Sequence, residues 1–309
     1  MSRRGFCVAP SLARGIAPGI ALGVALLAAP ARGPAAQMHA HPAPAHGDSA
    51  ATTFLAAARS ATARYRELAQ AVADGYRRIG GDLPSMGEHW VNPSIAVRDA
   101  FAPDAPSVLI YVRVAGNPVL AGVAYTRFLA RDAPYPAFPA GVPHAWHEHN
   151  GSVADETLPL GHGNATRPPA GDTRVAVLHA WEWIANPAGV WNADNWALPY
   201  IRLGLRPADA PGADAKALAL ASGGDAYYLN AIVTTGEPDA EETERMGAIL
   251  ARTRARAEEL VRDKRAGDPV EPARAASLGA LWQGMWDEIA RDVRPEVAAR
   301  LRPLRELLR

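Results

Sequence analysis

The chain has one cysteine, Cys7, and it lies in an N-terminal segment that reads as a removable address. After removal no disulfide, thiolate ligand or cysteine nucleophile is left, so any metal must be held by His, Asp, Glu or backbone oxygens. Net charge is lacking too, with 32 Lys+Arg against 32 Asp+Glu. A nucleic-acid partner, which needs a basic face to displace counterions, is therefore not expected. Beyond the N-terminal segment there is no charge-free run long enough to cross a bilayer, which argues against a multi-pass membrane protein. A phosphate loop, a GxSxG elbow, an HExxH helix and internal repeats are missing as well. What is there, in 309 residues, is 49% hydrophobic and 21% charged with eight Trp. That composition belongs to a folded globular chain of one or two domains.

Residues 1–36 read as a cleaved export signal. Arg3, Arg4 and Arg14 form a positive start, Ile16 to Leu27 is modestly apolar, and small residues follow at Ala29 and Ala31 and again at Ala35-Ala36. Ser2-Arg3-Arg4-Gly5-Phe6 is similar to a twin-arginine signal; an ordinary secretory signal with two adjacent arginines is the preferred reading. Either route predicts a periplasmic or secreted protein. No acidic residue precedes Asp48, so cleavage after Ala36 removes four arginines and leaves a net charge of −4. Residues 37–51 form a leader rich in His, Pro and Ala, with His39, His41 and His46. Such a tract either scavenges transition metals or is idle.

Residues 52–205 are expected to form an α+β core. Thr52 or Thr53 caps a first helix in which Leu55, Ala58, Tyr65, Leu68, Val72 and Tyr76 recur at helical spacing as far as a Gly80-Gly81 stop. Ser107–Val114 and Val119–Thr126 predict a β-hairpin across Ala115–Pro118. Residues 131–171, crowded with Pro, Gly and His, are too long for an idle connection. A strand is expected over Thr173–Ile184, with Val175, Val177, His179, Trp181 and Trp183 on one face and Leu178, Glu182 and Ile184 on the other. Residues 206–309 are helical by pattern, with short helices at 214–220 and 225–233. Long ones over 241–265 and from 272 onward are expected to form an antiparallel hairpin, the surface assigned to packing, a second copy or a protein partner.

The chemistry-bearing residues fall in three strings: Met86-Gly87-Glu88-His89-Trp90-Val91-Asn92-Pro93, His144 to Gly151, and Leu178 to Trp183 running on through Asn186-Pro187 to Trp191. The first and third resemble a family of uncharacterised exported bacterial proteins whose members read MG-x-H-[YW]-VNP, a hairpin, then LH-x-W-x-W-x-x-NP-x-G-x-[FW]. The likeness covers Ala63 to Trp196, less than half of the chain. Glu182 departs from the pattern, where an apolar residue is more usual, and the resemblance implies no activity.

His89, His147, His149 and His179 are the candidate metal ligands. Neutral imidazole suits Zn and Cu, and an aromatic wall such as Trp181 and Trp183 would exclude water from the site. In an extended segment His147-x-His149 puts both rings on one face. Taken alone, His89 or His179 reads better as a buried core residue bonded to backbone, and the His147–His149 segment as a solvated polar loop. A catalytic version would also need an open coordination position and a base such as Glu88 or Glu148. Hydrolase and glycosidase readings lack support: no elbow surrounds Ser85, Ser94 or Ser152, and the adjacent Asp155 and Glu156 diverge. Trp90, Trp146, Trp181, Trp183, Trp191 and Trp196 would build either an aromatic pocket or a core. The expectation is an exported α+β protein binding Zn or Cu through a His site. The alternative is a metal-free structural or interaction protein built on the same residues.

Overall fold

The computed structural model describes residues 49–98, 101–130, 132–142, 145–149 and 173–308. The segment read as an export signal, most of the span read as leader and most of residues 131–171 lie outside them. The fold is α+β, as expected: an antiparallel sheet with helices before and after it.

The first helix is shorter than the sequence suggests and starts earlier. Helix α1 covers Ser49–Thr62, beginning inside the span read as leader; a 3-10 turn follows at Ala63–Arg66 and α2 covers Leu68–Ala73. Glu67, with extended backbone at ψ 106°, breaks the run. Apolar periodicity survives the break because α1, the turn and α2 all lay Leu55, Tyr65, Leu68 and Ala71 against one core. Gly80-Gly81 is no helix stop but part of strand β1, Arg77–Leu83, where the pairing slips between Ile79 and Asp82.

The sheet runs β1-β2-β3-β4-β6-β5, with β2 Gly87–Val91, β3 Val108–Val114, β4 Asn117–Ala130, β5 Trp146–His149 and β6 Thr173–Ala180. The β3–β4 hairpin is tighter than expected. Val114 pairs with Asn117, and the two loop residues, Ala115 and Gly116, both have positive φ, which is the twist-matched two-residue turn. Pro118 is thereby a strand residue opposite Arg113.

The sheet carries a core on each face. One face packs Leu109, Tyr111, Tyr125 and Leu178 with Phe54 and Leu55 of α1; the other carries Val108, Ile110, Ala124, Val177 and Trp181 with Leu198 of α4, Leu198–Arg202. The C-terminal helices form a third core. They are α5 Ala213–Ala221, α6 Asp225–Gly236, α7 Ala240–Val261, α8 Pro272–Asp292 and α9 Pro295–Leu307. The α7–α8 hairpin is present, with α7 ending at Val261 instead of 265, and it is embedded: Met246, Ile249, Leu278, Trp282 and Met285 are buried among α5, α6 and α9. Arg202 ties α4 to the sheet through a two-pronged ion pair with Asp82 of β1, at 2.5 and 2.6 Å.

Candidate functional site

Register places three of the four candidate histidines on one face of the sheet. His89 lies opposite Ile110, Ile110 opposite Gly122, His179 opposite Ala124, and His147 opposite Val177 two residues from His179. All three are buried, at 4%, 6% and 0% exposure for His89, His147 and His179. The His147 and His179 rings meet edge to face with centroids 4.8 Å apart, and the His89 ring lies 5.7 Å from that of His179. His149 is the last residue of β5, opposite Val175; its side chain lies outside the described residues.

The His89–His179 contact is not a neighbour contact. In a flat sheet β2 and β6 are three strand spacings apart, roughly 14 Å. The rings meet because the sheet bends: the β3–β4 pairing slips between Ile110 and Tyr111, and two glycines let backbones approach closely. A Cβ on Gly87, whose φ is +74°, would stand 2.3 Å from the Tyr111 carbonyl oxygen. One on Gly122 would stand 2.6 Å from that of Ala180. The Trp181 ring, 3.2 Å from that same Cβ position, packs into the space the missing side chain leaves.

His179 is oriented by backbone. Its Nδ1 is 2.8 Å from the Ala193 carbonyl oxygen; a carbonyl only accepts, so Nδ1 carries the proton and, in the neutral ring, the lone pair is on Nε2. Trp181 packs edge to face on His179 at 5.7 Å and donates from Nε1 to the Asn192 carbonyl at 2.6 Å. The loop after β6 therefore supplies both the hydrogen bond that fixes the ring and part of its wall. Asn186, Asn192 and Asn195 hold that loop through side-chain bonds to its own backbone.

Past Ala180 the expected alternation fails. Trp181 N–H bonds to the Val190 carbonyl, and the N–H groups of Trp183 and Ile184 both bond to that of Ala121. This turns Trp183 to the α1 side, where its Nε1 donates to Thr62 Oγ1 at 3.0 Å and Arg59 stacks on its ring at 4.4 Å. Trp183 is thus no wall of the histidine face, and Ile184 packs on the side from which it was expected to point away. The other tryptophans are dispersed. Trp146 and Trp191 join the aromatic packing around Phe54, Phe101 and Phe138, Trp90 leans on Tyr111, and Lys216 lies 5.0 Å over Trp196. They form cores, not one binding pocket.

Both candidate bases are engaged on the opposite face. Glu88 is bound by Arg113 at 3.0 and 3.1 Å, by Arg78 at 3.2 Å and by Trp90 Nε1 at 3.3 Å. Burial pushes its carboxyl up, but the Arg113 bond, with Arg78 and Trp90, outweighs burial and leaves it below the usual carboxylate range. Glu148 accepts from Tyr135 at 2.7 Å and pairs with Arg174. Among the described residues no group of three or more His, Cys, Asp or Glu side chains is arranged to hold a metal ion, and no helix is long and apolar enough to cross a membrane.

No protein-family model, no curated protein and no solved structure matches the chain.

Sequence reasoning missed the burial of Glu182 and the perturbed carboxyl of Asp194. Glu182 has its carboxyl enclosed beside Thr62 and Arg59; burial, only partly offset by its own backbone N–H and by the Arg59 charge, pushes it up to about 8. The carboxyl of the half-buried Asp194 is raised by desolvation too, although Ser85 donates to it at 2.6 Å and Lys216 lies nearby. Its position in the Asn-rich loop gave no sign that β1–β2 would cover it.

Proposed function

We propose that this is an exported protein that binds a Zn or Cu ion through His89, His147 and His179, with His149 as the further donor from β5. The observation carrying this reading is the meeting of three imidazoles, from three separate strands, on one buried face. Two imidazoles on one tetrahedral ion at metal–nitrogen distances of about 2.0–2.1 Å have ring centres roughly 5 Å apart; the separations of 4.8 and 5.7 Å bracket that value. The Ala193 carbonyl bonded to His179 Nδ1 is the kind of outer contact that orients a ligand histidine, and it selects Nε2 as the donor. A binding role fits better than catalysis, because Glu88 and Glu148 are spent on ion pairs across the sheet.

A second reading, a metal-free core in which the histidines bond to their surroundings, is favoured by the lack of a ready three-donor group among the described residues. Titration with Co(II) separates the two. Metal binding gives one saturating equivalent with visible ligand-field bands of a nitrogen-rich tetrahedral site, lost in His179→Ala and in His147→Ala. A folded protein whose Co(II) spectrum stays that of the free aquo ion leaves the metal-free reading.

A further inference from the structure

The helical region carries a cleft unrelated to the histidines. It lies between α8 and α9, has a volume of about 380 Å³, and is lined by Trp286, Ile289, Ala298, Leu301, Arg302 and Arg305 among others. That is within the range of small-molecule sites. The cleft exists because Ala290, Ala298 and Ala299 stand where longer side chains would close it.

Its polar chemistry is one-sided. The lining includes one indole N–H and two guanidinium groups and no carboxylate, amide or hydroxyl side chain. Trp286 is 2% exposed, and its Nε1 is buried with no acceptor among the described residues; the same holds for Nε of Arg305. Arg305 is held only at its tip, by Asp287 at 2.6 Å, and the exposed Arg302 makes no ion pair with a described residue. Buried donors without acceptors are costly, and a site offering only donors around an apolar floor selects a ligand that accepts at one end and is apolar at the other.

We propose that this cleft binds a small organic anion with an apolar body, of the class of a medium-chain carboxylate, its carboxylate bound by Arg305, Arg302 and the Trp286 N–H and its chain lying on Ile289, Ala298 and Leu301. The pair that holds the Arg305 tip is a solvent-accessible one with Asp287, weak enough for an incoming carboxylate to displace.

Isothermal titration of the full chain with octanoate, below its micelle concentration, and with 1-octanol tests this. Octanoate binds at one equivalent and about tenfold or more tighter than the alcohol, the difference a charge-assisted hydrogen-bond set supplies. Trp286→Phe keeps an aromatic ring and removes the donor, so octanoate loses affinity relative to octanol. Ala298→Leu fills the cleft and removes both. Failure of octanoate to saturate in the millimolar range, equal affinity for acid and alcohol, or an octanoate affinity indifferent to Trp286→Phe in a folded variant would each overturn the proposal.

Discussion

Glu182 shows at the scale of one side chain what burial does to a carboxyl. Its folded value, about 8, lies above that of an unfolded glutamate. Below about pH 4.5 the group is protonated in both states and has no effect on stability. As pH rises toward 8 the unfolded chain gives up its proton while the folded one keeps it, so stability falls, by an amount on the order of 5 kcal/mol once both are ionised. Asp194 works in the same direction. Glu182→Gln is therefore expected to melt higher than the parent at pH 8, with little difference at pH 4, in parallel thermal scans; equal gains at both pH values would sink this account. The position was visible in the sequence as a departure from an otherwise apolar pattern, but not its burial, which follows from the turn of the chain after Ala180. Gly122 is the converse case, an unremarked residue in the string VLAGVAYT that proves obligatory. Gly122→Ala drives a Cβ toward the Ala180 carbonyl at 2.6 Å, in backbone that cannot yield cheaply. A loss of about 3 kcal/mol is expected in chemical denaturation, together with separation of the His89 and His179 rings.

Elements were legible where pattern and packing agreed. The β3–β4 hairpin and β6 announce themselves by near-continuous apolar runs, because both of their faces are buried, and the long helices by one buried stripe. Strand β1 gave no such signal: RRIGGDL pairs only with β2 and leaves most of its residues solvent-accessible, so neither hydrophobic alternation nor β-branched content marks it. Strand β2 escaped notice because His89, Glu88 and Trp90 read as a chemical motif before they read as a strand. The alternation that separates His89 from Glu88 is nonetheless what assigns them to opposite faces. At the start of α7 Asp239 and Glu242 form a reciprocal cap. Asp239 Oδ1 accepts from Glu242 N–H at 2.9 Å, and Glu242 Oε2 accepts from Asp239 N–H at 3.0 Å. Arg294, at the α8–α9 junction, binds the same carboxylate through side chain and backbone and holds it down to about 2. Asp239→Ala is expected to cost about 1 kcal/mol. The contribution of Glu242 is present above ordinary carboxylate values and is lost as pH falls through about 2, so Glu242→Gln lowers the melting temperature at pH 7 and converges with the parent in strong acid.

Across the whole molecule the sheet serves as a divider. Acidic and basic side chains pair on the α1 side, where Glu88 meets Arg78 and Arg113 and Glu148 meets Arg174. The other side carries the three histidines among apolar residues, with the Arg202–Asp82 pair joining α4 to the β1 edge. Part of this arrangement was readable: parity puts His147 with His149, and His179 with Val177, on one face of their own strands, whereas bringing His147 to His179 depends on the β5–β6 register, and the approach of His89 across two intervening strands on a bulge and two glycines that no local pattern encodes. The proposed metal ion on this face is tested by the metal content of exported, untagged protein in which His39, His41 and His46 are changed to Ala, leaving residues 37–51 unable to contribute. About one Zn or Cu per chain is expected, lost when His147 and His179 are replaced in a protein that still folds. A well-folded protein that carries no metal and ignores added Zn and Cu would contradict it.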